Sequence, residues 1–195
     1  MTRLAHRVCV LLLLCLSAAA CQLKRPDSIP ARMLEPQLLE PQVPATPTAD
    51  VNKAGALPVR LLDTQARGHI GRRLLYQQAS GELTEDPIWR WSLSPDRYLD
   101  TVIRLELASS SRLRLVDIAG APSIAATLDV WYLEPAPTSR LIGTVEFSFT
   151  GRDGGVRTYV AQGSEPVSSA LPGDLAVVAG RLLRRLVQDG LMRVA

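Results

Sequence analysis

Histidine and cysteine are almost missing from the body of this 195-residue chain: the two histidines are His6 and His69, and the three cysteines, Cys9, Cys15 and Cys21, all fall within the first 21 residues. A zinc site built from His or Cys would lack ligands, so no metal and no other cofactor is expected. A serine hydrolase of the usual kind needs a base, and His69 would have to be it, in a stretch (Gly68, Ile70, Gly71) that reads as a solvent loop. Neither a Gly-x-Ser-x-Gly elbow nor a Gly-x-x-x-x-Gly-Lys phosphate loop occurs. Asp96 and Asp100 stand one helical turn apart and offer an acid–base pair, but carboxylates near a helix start are favoured by the dipole without any catalysis. The body is therefore expected not to be an enzyme. Lysine is scarce too, 20 of the 22 basic residues being arginine, which reads as coding bias.

What is present is ordinary for a globular protein: 47% apolar, 21% charged and 5% aromatic residues, which excludes a collagenous, a fully disordered or a polytopic membrane chain. Residues 1–20 divide into a start with Arg3 and Arg7, an apolar run from Val8 to Leu16, and the small residues Ser17 to Ala20 before Cys21. That is the pattern of a bacterial secretory signal, and its apolar run is well short of the roughly 20 residues that span a bilayer. Without Arg3 and Arg7, 20 basic residues stand against 19 acidic ones, a net of +1. Nucleic acid is not an expected partner, since phosphate binding needs a clustered basic surface.

Residues 21–56 carry six of the fourteen prolines and no aromatic residue. Such a stretch is expected to be a tether that builds no core, reaching between roughly 30 Å if flexible and about 100 Å if extended. Its repeated Leu-Glu-Pro-Gln, at Leu34 to Gln37 and Leu39 to Gln42, reads as low complexity. Residues 57–195, about 140 of them, suffice for one domain without disulfides or metals.

Within that domain, Leu57 to Leu62, Arg73 to Gln77, Pro87 to Trp91, Arg112 to Ile118, Ala125 to Leu133, Leu141 to Thr150 and Val156 to Ala161 read as strands. Leu128, Val130 and Tyr132 are expected on one face, and Val145, Phe147 and Phe149 on another. Asp153-Gly154 marks a hairpin turn. One helix is expected from the Ser94 cap and Pro95 to about Ala108, a second from Pro172 to Asp189 with Gly190 as its stop. Strands mixed with helices in this order predict an α/β class, a mixed sheet with helices packed on it.

Two surface features stand out. Trp89 and Trp91, sharing a strand face, offer a ligand platform, against which stands simple packing on the following helix, the more usual fate of tryptophan. Arg181, Arg184 and Arg185 form an outward stripe for an acidic partner or lipid headgroups, or merely a solvated helix face.

The lone Cys21 after three alanines resembles the lipobox of bacterial lipoproteins, which implies that its thiol is diacylated and its amino group acylated. Gln22 rather than Asp in the next position implies the outer membrane, facing the periplasm. The body resembles the ABC-type transport auxiliary lipoprotein family, which includes the paraquat-inducible protein C lipoproteins, most specifically at Arg90-Trp91-Ser92-Leu93-Ser94-Pro95. The resemblance implies an outer-membrane lipoprotein without catalytic residues, held by its N-terminal lipid. Its partners would be an MCE-domain protein or the permease components of an inner-membrane ABC transporter, and its role the movement of lipids between membranes. An assembly or pilot factor for another outer-membrane machine would share this architecture, as would, less well, an anchored hydrolase.

Overall fold

In this computed structural model, which describes residues 30–38, 55–134, 137, 139–168 and 172–194, the alternating apolar runs are strands and both helical patterns are helices. The signal-type segment, Cys21 and residues 22–29 and 39–54 of the expected tether lie outside the described residues. Strand β7 (Ser123–Glu134) organises the sheet. On one edge it carries β8 (Arg140–Thr150) antiparallel, and β8 carries β9 (Val156–Pro166) antiparallel. Along its other edge three short parallel segments succeed one another: β2 (Leu57–Leu61), β3 (Gln65–Ala66) and β4 (Arg73–Gln77). Strand β6 (Leu113–Leu115) extends β2 in parallel, β5 (Leu83–Trp91) lies antiparallel to β4, and β1 (Arg32–Leu34) lies parallel to β5. The result is the expected mixed sheet. Helices α1 (Pro95–Ser109) and α2 (Pro172–Val194) pack on one face of it and on each other.

The register of β7 departs from simple alternation. A bulge between Leu128 and Val130 leaves Asp129 without a cross-strand partner and reverses the side-chain parity, so that Leu128 faces the helices before it and Trp131 and Leu133 after it. The expectation that Leu128, Val130 and Tyr132 share a face fails for this reason. Strand β8 keeps strict alternation, with Leu141, Val145, Phe147 and Phe149 buried. The turn to β9 spans residues 151–155, closed by the Gly151 N–H donating to the Gly155 carbonyl at 2.9 Å, with Gly154 at φ 78°. Strand β6 stops at Leu115, short of the expected Ile118, which instead accepts the Ala121 N–H in a turn.

Helix α1 starts as its residues dictate, Ser94 in the cap position and Pro95 in the first turn, although the Ser94 side chain makes no capping bond. Helix α2 does not stop at Gly190. It runs on to Val194, and Gly190 has an ordinary helical φ. The glycine is there for space: a methyl group at Gly190 would run into the Phe147 ring. Two more glycines, Gly143 and Gly163, face each other across β8 and β9. A Cβ at Gly143 would lie 2.9 Å from Leu186 Cδ1, and one at Gly163 would lie 3.2 Å from Leu182 Cδ1. The helix thus settles into a trough that side chains would fill.

The tether reading needs correction at its centre. Residues 32–34 form β1, whose Arg32, Met33 and Leu34 pair with Trp89, Arg90 and Trp91. Leu34 is buried, which stabilises the fold by about 2 kcal/mol. The chain then crosses α2, the Gln37 N–H donating to the Ala176 carbonyl at 2.9 Å while Leu38 packs on the core. The first Leu-Glu-Pro-Gln copy is therefore structural. A segment too poor in apolar residues to build a core can still add an edge strand to a sheet that already has one.

Gly180 is where this strap touches α2, and a Cβ there would collide with the Gln37 carbonyl. Gly→Ala in an exposed helix interior ordinarily stabilises by roughly 1 kcal/mol. Here Gly180→Ala is expected to destabilise by about 1–3 kcal/mol, because the obstacle is backbone. The checks are a lower Tm and faster tryptic cleavage after Arg32; an unchanged or raised Tm would show that the strap does not lie on the helix.

Candidate functional site

The chemistry-bearing residues gather in two places, the β1–β5 edge and the outer side of α2. At the edge, local sequence sets the geometry. Asp86 Oδ1 accepts the N–H groups of Ile88 and Trp89, each at 2.6 Å, folding Asp86-Pro87 into a turn inside β5. That turn produces the irregularity in the β4–β5 pairing, where Arg73 faces Arg90 but Leu75 already faces Glu85. It also orients the next two aromatic side chains.

Trp91 is only 1% exposed, tilted against Trp131 with ring centroids 6.0 Å apart. It cannot be part of an exposed platform, and the packing alternative holds for it. The cause is β1, which lays Leu34 beside it, together with α1, which follows four residues later. Trp89 is half-buried at the rim of the core, with the Arg32 guanidinium 5.5 Å from its ring centroid. Of the expected pair, only Trp89 reaches the surface.

The segment Arg90 to Pro95 is a junction of four elements. The Trp91 N–H donates to the Arg72 carbonyl at 2.6 Å and the Ser92 N–H to the Leu34 carbonyl at 2.7 Å. Arg72 returns its guanidinium to the carbonyls of Trp91 and Ser92, at 3.2 and 2.5 Å. Tyr98 of α1 hydrogen-bonds through its hydroxyl to Ser92 Oγ and accepts the Leu93 N–H at 3.0 Å.

Most of the arginine stripe is committed to ion pairs within the fold. Arg184 binds Glu106 of α1 at 2.7 Å, and Gln188 donates to the other oxygen of the same carboxylate at 3.1 Å. Arg185 pairs with Glu165 of β9 at 2.8 Å and donates to the Ser164 carbonyl at 2.9 Å. These two fasten α2 to its neighbours, and only Arg181 is left as an exposed cation without an ion pair among the described residues. The stripe is therefore not a free docking face.

The candidate acid–base groups are likewise placed. Asp100 holds Arg104 one turn on, at 2.7 Å, and His69 is exposed in the turn before β4. A cleft of about 380 Å³ opens between the ends of α1 and α2, and the one carboxylate lining it is Glu106, already engaged. Among the described residues no three His, Cys, Asp or Glu side chains converge as metal ligands would. What sequence reasoning missed is the pairing of Arg32 and Met33 with β5. The signal available was the short Arg-Met-Leu run between prolines, too brief to stand out.

Glu106→Ala leaves Arg184 without its acceptor and is expected to lower stability by about 1–2 kcal/mol in chemical denaturation. Arg181→Ala in parallel should change nothing measurable. Separately, burial pushes the Tyr76 phenol up to about 12, helped by the charge and hydrogen bonding of Asp86. An unfolded tyrosine ionises near 10, so the folded state holds this proton longer. Its contribution to stability is whole below pH 10 and is lost as pH rises toward 12. Burial and the Glu134 charge raise Tyr132 as well, so a phenolate absorbance titration should show a late-titrating component that shrinks, without vanishing, in Tyr76→Phe.

No protein-family model matches the sequence, and no curated protein is similar to it in sequence. Solved structures do match. A protein of the DUF330 family from Xanthomonas campestris superposes with a TM-score of 0.60 at 16% identity, covering 82% of this chain and 88% of its own. An uncharacterised protein gives 0.57 at 9% identity, over 71% of this chain and 90% of its own. A hypothetical protein of Chlamydia trachomatis gives 0.54 at 14% identity, over 71% and 95%. At these identities the likeness is one of fold: this chain folds as those proteins do.

Proposed function

We propose that the chain is a bacterial outer-membrane lipoprotein, anchored through Cys21, whose domain serves without catalysis as an auxiliary component of an ABC-transporter or MCE-type system moving lipids between membranes. The observation that carries this reading is the place of the Arg90–Pro95 segment. It is the most specific part of the resemblance to the transport auxiliary lipoproteins, and in this fold it joins β1, β4, β5 and α1. The resemblance thus falls on residues that build the domain rather than on a loop. The fold held in common with the DUF330 protein is compatible with it. No helix of the described residues is long and apolar enough to cross a membrane. The ionised side chains suited to chemistry, Asp100, Glu106 and Glu165, serve as ion-pair partners that hold the fold.

The test has two arms. Radiolabelled palmitate should enter the wild type and not Cys21→Ser; equal labelling removes the anchor. In cells, photo-crosslinkers on the domain surface should capture an MCE-domain protein or an ABC permease. Capture of an outer-membrane barrel or secretion component instead would favour the assembly-factor reading. His69→Ala should leave transport-dependent growth unchanged.

A further inference from the structure

The position of β1 changes where the domain can be. Ten residues, Gln22 to Ala31, separate Cys21 from the first strand. A chain of that length spans at most about 40 Å when fully extended, and roughly 20 Å on average when flexible. Strand β8 alone, with 11 residues, is about 37 Å long. Even fully extended, the leash is thus only about as long as one strand of the domain, and β1 is the element nearest to it along the chain.

That edge has the side chains of a membrane interface. Met33 is 56% exposed, and so, at 50%, is Leu93, which follows the residue bonded to the Leu34 carbonyl. Arg32 lies over Trp89, a cation on an amphipathic aromatic ring, the pairing favoured at the headgroup level. Arg90, opposite Met33 and Arg73, is half-buried with its Nε enclosed, so the exposed cation of this edge is Arg32. The leash itself carries Lys24 and Arg25 against Asp27. Glu35, the carboxylate closest in sequence, lies past Leu34 toward α2.

We propose that the β1 edge, through Arg32, Met33 and Trp89, rests against the anionic phospholipid surface in which the chain is anchored, so that the domain is docked at the membrane rather than swung far from it. This rests on the anchor reading above. It replaces the reach of about 100 Å expected for a free tether with contact at the headgroups. Strand β1 runs antiparallel to β7, through β5 and β4. The chain therefore arrives at the end of the sheet where β7 finishes. The turn containing Ile118, which precedes β7, lies at the opposite end and faces away.

The experiment uses the full mature chain with Cys21→Ser, so that no acyl group assists binding. It is sedimented with vesicles of phosphatidylglycerol and phosphatidylcholine, and with phosphatidylcholine alone. Binding is expected only with phosphatidylglycerol and is expected to fall with salt. Arg32→Gln should weaken it about fivefold, the roughly 1 kcal/mol of one arginine near an anionic surface. Met33→Ser should weaken it further, and Ile118→Asp should leave it unchanged. Because Arg32 and Met33 are exposed, an unaltered circular dichroism spectrum verifies that the variants are folded. Absence of phosphatidylglycerol-dependent binding, or loss with Ile118→Asp but not Arg32→Gln, overturns the proposal. A chain that takes up palmitate yet ignores the vesicles when unacylated refutes the docked edge and leaves the anchor standing. Vesicle binding without palmitate uptake refutes the anchor.

Discussion

Helix α2 lies as deep in the sheet as it does because glycine stands at each point of closest approach. Gly143 and Gly163 open a trough under Leu182 and Leu186, Gly190 leaves room for Phe147, and Gly180 admits the Gln37 backbone from the other side. The rest of the fold depends on this seating. With α2 this low, Arg184 and Arg185 reach Glu106 and Glu165, fixing α1 and β9 to the same helix. With Gly180 bare, the N-terminal strap crosses the helix and delivers Leu34 to the core beside Trp91. A single methyl group at any of these points would work against several contacts at once, since interiors at crystal-like density have no slack to absorb it.

The strap has a second consequence. On the proposed anchor at Cys21, only ten residues precede the first strand, so the fold itself would limit the orientation of the domain. Docking and tethering are different ways of working: a long flexible tether lets a domain search, whereas a short leash with a basic and apolar edge holds one face toward the membrane and offers the opposite end to a partner. The end of the sheet away from the start of β1 carries the Ile118 turn and the β8–β9 turn.

Much of the fold was legible. Strands β2 and β4 lie where their alternation places them, and β8 shows Val145, Phe147 and Phe149 on one buried face because its pattern has no interruption. Helix α1 begins at Pro95 because Ser-Pro-Asp both breaks the strand and suits a first turn. Less of the candidate site was legible. Trp91 and Trp89 share a strand face as alternation requires, yet one is core and the other rim, a difference made by β1, which lies some 55 residues away in sequence. Arg184 and Arg185 looked outward on a helical wheel, where a position beside the apolar stripe does not reveal that Glu106 or Glu165 stands opposite.

The sequence by itself determined both helices and the longer strands, the mixed α/β class, the scarcity of His and Cys in the body, and the cysteine at the end of the signal-type segment. These follow from local periodicity and from inventory, which need no knowledge of neighbours. Only the tertiary structure decided the Asp129 bulge, the role of Gly190 as clearance rather than stop, and the capture of residues 32–38 by the sheet and α2. Each depends on what lies across the gap: a facing strand for the bulge, the Phe147 ring for the glycine, and an unoccupied edge of β5 for the strap. A residue's own neighbours in the chain carry no record of such partners, because the energy of close packing arises between segments that meet only after folding.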